Sequence, residues 1–244
     1  GIFGVLLVAG FMAWLEQRIR RHVPQSVDII VTPTITLLVG GLLTYTVLQP
    51  ISGVLSDAVV ALFRSALSMG GSIAGAVLAG SFLPLVITGL HQGLTPVHME
   101  FLNTLRVNPL LPVLAMSGAG QVGAAVAVLL KTRNNRLRSI IKGALPVGIL
   151  GIGEPLIFGV TLPLGKPFIT ACFGAAAGGA FQAAMQVQSI AMGVSGLPLA
   201  FLIRGDQIQS YLIGLAIAYV AGFLLTWLVG FDDPPEDPAA QEAV

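Results

Sequence analysis

The chain has 244 residues, 55% hydrophobic and 9% charged, with a formal net charge of +1, and a mean hydropathy of +0.89. Soluble domains carry about 25% charged residues, so the composition excludes a soluble globular enzyme and describes an integral membrane protein, with no charge excess to suggest nucleic-acid binding. The single cysteine, Cys172, lies in an apolar run, which excludes a disulfide framework and a thiolate metal centre.

Gly1-Ile-Phe-Gly-Val-Leu-Leu-Val8 is already hydrophobic, with no Met, basic region or cleavage signal. Residue 1 therefore reads as the middle of a transmembrane segment and the chain as the C-terminal part of something longer. In residues 14–23, Trp14, Leu15, Ile19 and Val23 fall near one helical face and Arg18, Arg20 and Arg21 occupy the rest. That pattern predicts a short interfacial amphipathic helix on the cytoplasmic side, with a solvated basic loop as the alternative. Residues 27–49 predict a transmembrane helix ending at Gln49-Pro50. Residues 52–90 carry Asp57 and Arg64, then a small-residue stretch in which Gly71 and Gly75 suit tight helix contact.

Residues 84–105 crowd polar groups, among them His91, Gln92, Thr95, His98, Glu100 and Asn103, between apolar runs. Pro84, Gly89, Gly93 and Pro96 interrupt them, which predicts a re-entrant or discontinuous element. Residues 109–130 are apolar again, with Ser117-Gly-Ala-Gly-Gln121 at their centre, and Lys131 to Lys142 form the densest basic run, assigned to the cytoplasmic side by the positive-inside rule.

Gly151-Ile-Gly-Glu154-Pro155 sets one carboxylate in an apolar segment broken by Gly and Pro. An acidic residue at bilayer depth costs about 2.5–3.5 kcal/mol and faces a cavity or a partner, so Glu154 is the first candidate for a ligand contact. Residues 167–194 are rich in Gly and Ala, 195–206 predict a loop or short hairpin, and 208–229 a last span with Tyr211, Tyr219 and Trp227 near the interfaces. Residues 232–244 form an acidic, Pro-rich tail expected to be disordered. The fold class read from this pattern is all-α: a polytopic transmembrane helical protein with re-entrant hairpins and an interfacial helix.

Leu90-His91-Gln92-Gly-Leu-Thr-Pro96 and Gly151-Ile-Gly-Glu154-Pro-Leu-Ile-Phe-Gly159-Val-Thr-Leu-Pro-Leu-Gly-Lys-Pro167 resemble two signature segments of a family. It is the sugar-transporting membrane component (enzyme IIC) of the bacterial phosphoenolpyruvate:sugar phosphotransferase system, in its sucrose, β-glucoside, trehalose and N-acetylmuramic acid branch. The Leu15-Glu-Gln-Arg18 stretch and the Thr32-Pro33 helix start are similar too. The common family pattern has Thr where this chain has Gly153. That Gly, with Gly118-Ala-Gly-Gln121, looks most like the N-acetylmuramic acid permeases.

The resemblance implies residues 1–231 as the C-terminal part of an EIIC domain followed by the tail at 232–244, with N-terminal helices and the EIIB domain lying outside the sequence. It implies a multi-pass homodimer in the bacterial inner membrane, embedded in lipid, that binds a sugar and places it before the phosphocysteine of EIIB. No cofactor and no metal are implied. Glu154 and His91 are the expected catalytic and sugar-contacting residues, with Gln92 and Thr95 lining the same chamber. A carboxylate accepts hydroxyl hydrogen bonds strongly, and a histidine can take a hydroxyl proton. His98 and Glu100 could pair with each other or face water. The lactyl carboxylate of N-acetylmuramic acid would call for a cation, for which Lys166 or Arg106 are candidates, Lys166 otherwise snorkelling to the interface. Cys172, with apolar neighbours and no nearby Arg, is not expected to accept phosphate. Two other classes fit the composition: an ion-coupled sugar transporter, which also uses broken helices and a midplane carboxylate, and a membrane scaffold in which Glu154 is part of an ion pair.

Overall fold

A computed structural model describes residues 2–235. Among them the regular elements are all helices, the only β pairing being two isolated bridges, Asn108 with Ser189 and Ser189 with Ile203. Among the described residues three stretches are long and apolar enough to cross a membrane: Asp28–Ile87, Leu110–Lys131 and Gly205–Val229. The chain divides into two compact units, Gly1–Phe63 and Arg64–Val244.

In the first unit, helix α1 (Ile2–Arg20) runs unbroken through the region expected to hold a separate interfacial helix. Nothing at residues 14–15 interrupts an i to i−4 ladder, so the apolar and basic parts form one rod. Its end is charged and locally paired: Arg20 meets Glu16 at 2.7 Å and the Arg18 guanidinium lies 5.6 Å from the centre of the Trp14 ring. Helix α2 (Asp28–Leu43) does not end its helical run at Gln49-Pro50. A five-residue π turn at Thr44–Leu48 leads straight into α3 (Gln49–Ile87). Proline removes one backbone donor and crowds the carbonyl four residues back; a wide turn just before it relieves that crowding. Thr44 Oγ1 donates to Gly40 O at 2.6 Å and Thr46 Oγ1 to Leu42 O at 2.8 Å, so these carbonyls stay satisfied without water.

The second unit is built round α5 (Leu110–Lys131), whose residues are buried along almost its whole length. It packs against α6 (Asn135–Ile149), α8 (Lys166–Ala184) and α9 (Ile208–Val229). Glycine lets these backbones touch. A Cβ on Gly75 of α3 would run into Gly179 O of α8, and one on Gly120 of α5 would run into Ala171 O. Gly75 thus serves close packing as expected, whereas Gly71 has no neighbour to meet and marks a non-helical break inside α3.

The basic run is mostly helix. Asn134 Oδ1 accepts from Leu137 N at 2.9 Å, capping α6. Leu137, Ile141, Ala144 and Gly148 then recur at helical spacing as its buried face. The start of the tail is also ordered: Asp233 accepts from Thr132 Oγ1 at 2.6 Å and from Arg133 N at 2.7 Å, and Asn134 Nδ2 donates to Pro234 O at 3.1 Å. Hydrogen bonds to a capping loop about 100 residues earlier hold the Asp-Asp-Pro-Pro segment that composition assigned to disorder; residues 236–244 lie outside the described residues. Tyr211 is not an interfacial anchor. It is fully buried, and its hydroxyl donates to Gly196 O at 2.7 Å.

Helix α4 (Thr95–Leu105) ends at Arg106, and Asn108 joins it to α5. Asn108 Oδ1 accepts from Leu110 N at 3.0 Å and Leu111 N at 3.1 Å, so its Nδ2 must be the group 2.9 Å from His98 Nδ1. Its backbone N donates to Ser189 O at 2.8 Å. His98 therefore pairs with Asn108, not with Glu100. Burial pushes the imidazole below its ordinary pKa, and accepting a hydrogen bond at Nδ1 also favours the neutral ring. Asn108→Ala is expected to cost about 2 kcal/mol, a lost cap plus buried groups left without partners. Thermal unfolding of the full-length protein in detergent checks this; a melting temperature matching wild type would contradict it.

Candidate functional site

The discontinuity expected at residues 84–105 is present, displaced by one turn. Helix α3 continues past Pro84 to Ile87, a turn follows, and Leu90–Leu94 form a short 3-10 segment before α4. His91 sits in that segment. Glu154 opens α7, a single turn (Glu154–Leu156) that passes into a π turn at Ile157–Thr161. The two breaks, 63 residues apart in sequence, face one cavity of about 110 Å³. Glu154 and His91 both line it, with Ser117, Gln121 and Ser195 as further polar groups. Phe82, Leu83, Val86 and Ile157 supply apolar wall.

Its shape depends on two glycines. Gly151 has φ +97 and Gly196 has φ +71, in the region L side chains avoid, and a Cβ on either would run into the other's segment. The extended stretch after α8 can therefore lie against the turn before Glu154. Ser195 Oγ donates to Gly151 O at 3.0 Å across that contact, and Tyr211 holds Gly196 from behind.

The Glu154 side chain is exposed and has no hydrogen bond or ion pair among the described residues. Among the described residues it belongs to no ion pair, and its acceptor capacity is free there. His91 packs edge-on to Phe82, with ring centres 6.1 Å apart. Its Nε2 is 3.1 Å from Gln92 Nε2, while Nδ1 is buried without a partner. When Gln92 donates to Nε2, the proton of the neutral ring lies on Nδ1.

Gln92 and Thr95 are exposed and do not line this cavity. Gln92 touches the site only through His91. Neither candidate cation reaches it: Lys166 pairs with Asp232 at 3.1 Å, and Arg106 is exposed at the left-handed end of α4. His98 and Glu100 are buried elsewhere. Cys172 packs with Leu83, Ala124, Ile157 and Ala171. The sequence places Ser117 and Gln121 at the centre of an apolar helix, and Gln121 in the stretch that resembles the N-acetylmuramic acid permeases, but marks neither as a site residue, and it gives no signal for Ser195. Polarity at the centre of a buried membrane helix was the available signal for Gln121.

Comparison with known proteins agrees with this architecture. The family described as "Phosphotransferase system, EIIC" matches residues 1–175. The chain is similar to YbbF of Bacillus subtilis (strain 168), described as a PTS system EIIBC component, at 61% identity over 96% of this chain and 51% of YbbF. It is 49% identical to the "PTS system MurNAc-GlcNAc-specific EIIBC component" of Staphylococcus haemolyticus (strain JCSC1435), over 94% of this chain and 49% of that protein. The protein of the same name from Staphylococcus aureus (strain USA300) is 48% identical over 94% of this chain and 48% of its own length. The chain thus spans about half the length of the curated relatives it matches. No solved structure matches it.

Proposed function

The chain belongs to the phosphotransferase system EIIC family, and from that premise we propose that it is the sugar-binding part of a permease that takes up N-acetylmuramic acid and presents it for phosphorylation. It is a multi-pass membrane protein. The observation that carries the reading is the convergence of Glu154 and His91 on one cavity. An unpaired carboxylate beside a histidine suits the hydroxyls of a pyranose, which offer donors in a fixed ring geometry. A cavity of about 110 Å³ holds one edge of such a ring.

Phosphoryl transfer between an enzyme and a bound alcohol is mostly positioning. A sugar hydroxyl oxygen attacks the phosphorus of the EIIB phosphocysteine, the P–S bond breaks, the cysteine leaves as thiolate, and the hydroxyl proton passes to His91 Nε2, from which the exposed Gln92 amide must first turn away. Glu154 holds the ring so that this hydroxyl points at the phosphoryl group. The EIIB domain is the partner, a second copy of the chain completes a homodimer, and the whole acts as a sugar phosphotransferase. The relatives named for MurNAc-GlcNAc favour N-acetylmuramic acid over sucrose, trehalose or a β-glucoside. Among the described residues the cavity wall carries a carboxylate and no cation, which favours a pose with the lactyl carboxylate pointing away from Glu154.

The test is thermal shift and calorimetry on the full-length protein in detergent, with N-acetylmuramic acid, N-acetylglucosamine, sucrose, trehalose and a β-glucoside. A ligand at about 100 times its dissociation constant stabilises by about 2.7 kcal/mol. The largest shift is expected with N-acetylmuramic acid. A larger shift with sucrose or trehalose would overturn the substrate.

A further inference from the structure

Gln121 is fully buried on α5, and its amide is oriented by a chain of hydrogen bonds. Thr161 Oγ1 donates its one proton to Leu156 O at 3.3 Å. The hydroxyl can then only accept from Gln121, which fixes Nε2 as the atom 3.0 Å away. Oε1 is left on the other side, buried and without a partner. It lies beside Gly153, where a Cβ would stand 3.0 Å from it, and both residues line the Glu154 cavity. A buried acceptor with no donor is costly to leave unmet, and Gly153 is the residue whose lack of a side chain leaves that oxygen uncovered.

We infer that Gln121 Oε1 is a specificity contact that accepts a hydrogen bond from the N–H of a 2-acetamido sugar, through the gap that Gly153 leaves open. This rests on the proposed sugar site. An amide N–H brings a donor and nothing else. A hydroxyl at the same place brings lone pairs too, and here the Gln121 Nε2 and Thr161 protons are already used. The acetyl methyl needs an apolar neighbour, which Leu83, Val86 and Ile157 provide on the same wall.

The experiment pairs a change in the ligand with a change in the protein. The ligands are N-acetylmuramic acid and its analogue with the acetamido N–H replaced by an ester oxygen, measured by calorimetry on the full-length protein. Wild type is expected to bind the ester about tenfold more weakly, because a site built around a donor rejects the analogue that lacks it. Gln121→Leu is expected to bind the two alike. Gly153→Ala keeps the Gln121–Thr161 bond and covers Oε1, and is expected to narrow the ratio as well, which separates this role from a fold defect. Equal affinities in wild type, or a ratio that survives Gln121→Leu, overturn the inference while leaving the sugar site standing. Binding of sucrose or trehalose with none of N-acetylmuramic acid overturns both.

Discussion

Glu154→Gln in the full-length protein is expected to weaken sugar binding by about 30- to 150-fold, with no change in melting temperature when sugar is absent. The two halves of that result have separate causes. Hydrogen bonds to an ionised group contribute about 1.5–3 kcal/mol against about 1 for neutral pairs, and a carboxylate offers acceptors alone, whereas glutamine presents one oxygen and a competing donor. About 2–3 kcal/mol is therefore lost when two sugar hydroxyls meet the amide, which is 30- to 150-fold at room temperature. Stability is unaffected because Glu154 is exposed and tied to nothing among the described residues. Calorimetry and thermal unfolding on one preparation read both quantities. Undiminished affinity would move the sugar away from Glu154. A large drop in melting temperature without sugar would make the residue a structural one, as the scaffold reading requires.

The parts of the molecule that the sequence foretold are those where one local signal suffices. Helices α5 and α9 are apolar runs of 22 residues each, and such a run has few other structures open to it in a membrane. Glu154 and His91 are candidates because polar side chains at breaks in apolar segments are expensive unless something faces them; the cavity they share is observed, and their contact with a sugar is proposed. The rest depended on partners far along the chain. The contact of Ser195 with Gly151 spans 44 residues, and neither residue type is unusual where it stands. The docking of Asp233 on Thr132 overrides a composition that favours disorder. The helix through Pro50 depends on a π turn that propensity does not predict. Lys166 was plausible as a sugar contact by charge alone, and only the position of Asp232 shows where that charge is spent.

Gly222→Ala is expected to be severely destabilising. A Cβ there would run into Gly120 O, and a Cβ on Gly174 would stand 2.6 Å from Gly222 Cα, so α5, α8 and α9 meet backbone to backbone at this level. Lipid tails are as apolar as the helices, so no hydrophobic gain drives these helices together; close van der Waals contact and interhelical hydrogen bonds do. Backbone atoms cannot rotate aside as a side chain would, so the methyl must push whole helices apart, and a gap of 0.5–1 Å forfeits about a quarter to a half of each contact's attraction. The buried hydrogen bond between Thr170 and Thr226, 2.6 Å long, lies one turn beyond Gly222 on the same helix pair and would stretch with it. Together these put the cost above about 4 kcal/mol. Gly143→Ala is the control: Gly143 lies on the exposed side of α6 with nothing within 4 Å of its Cβ position. It should gain about 0.5–1 kcal/mol from better helix propensity. Size-exclusion profiles and melting temperatures of the two variants in detergent should therefore differ in sign, and similar melting temperatures would refute this account of the packing. Gly120 directly precedes Gln121 on α5, so a separation of α5 from α9 also moves the cavity wall. Gly222→Ala is thus expected to weaken sugar binding as well as the fold, whereas Glu154→Gln weakens binding alone.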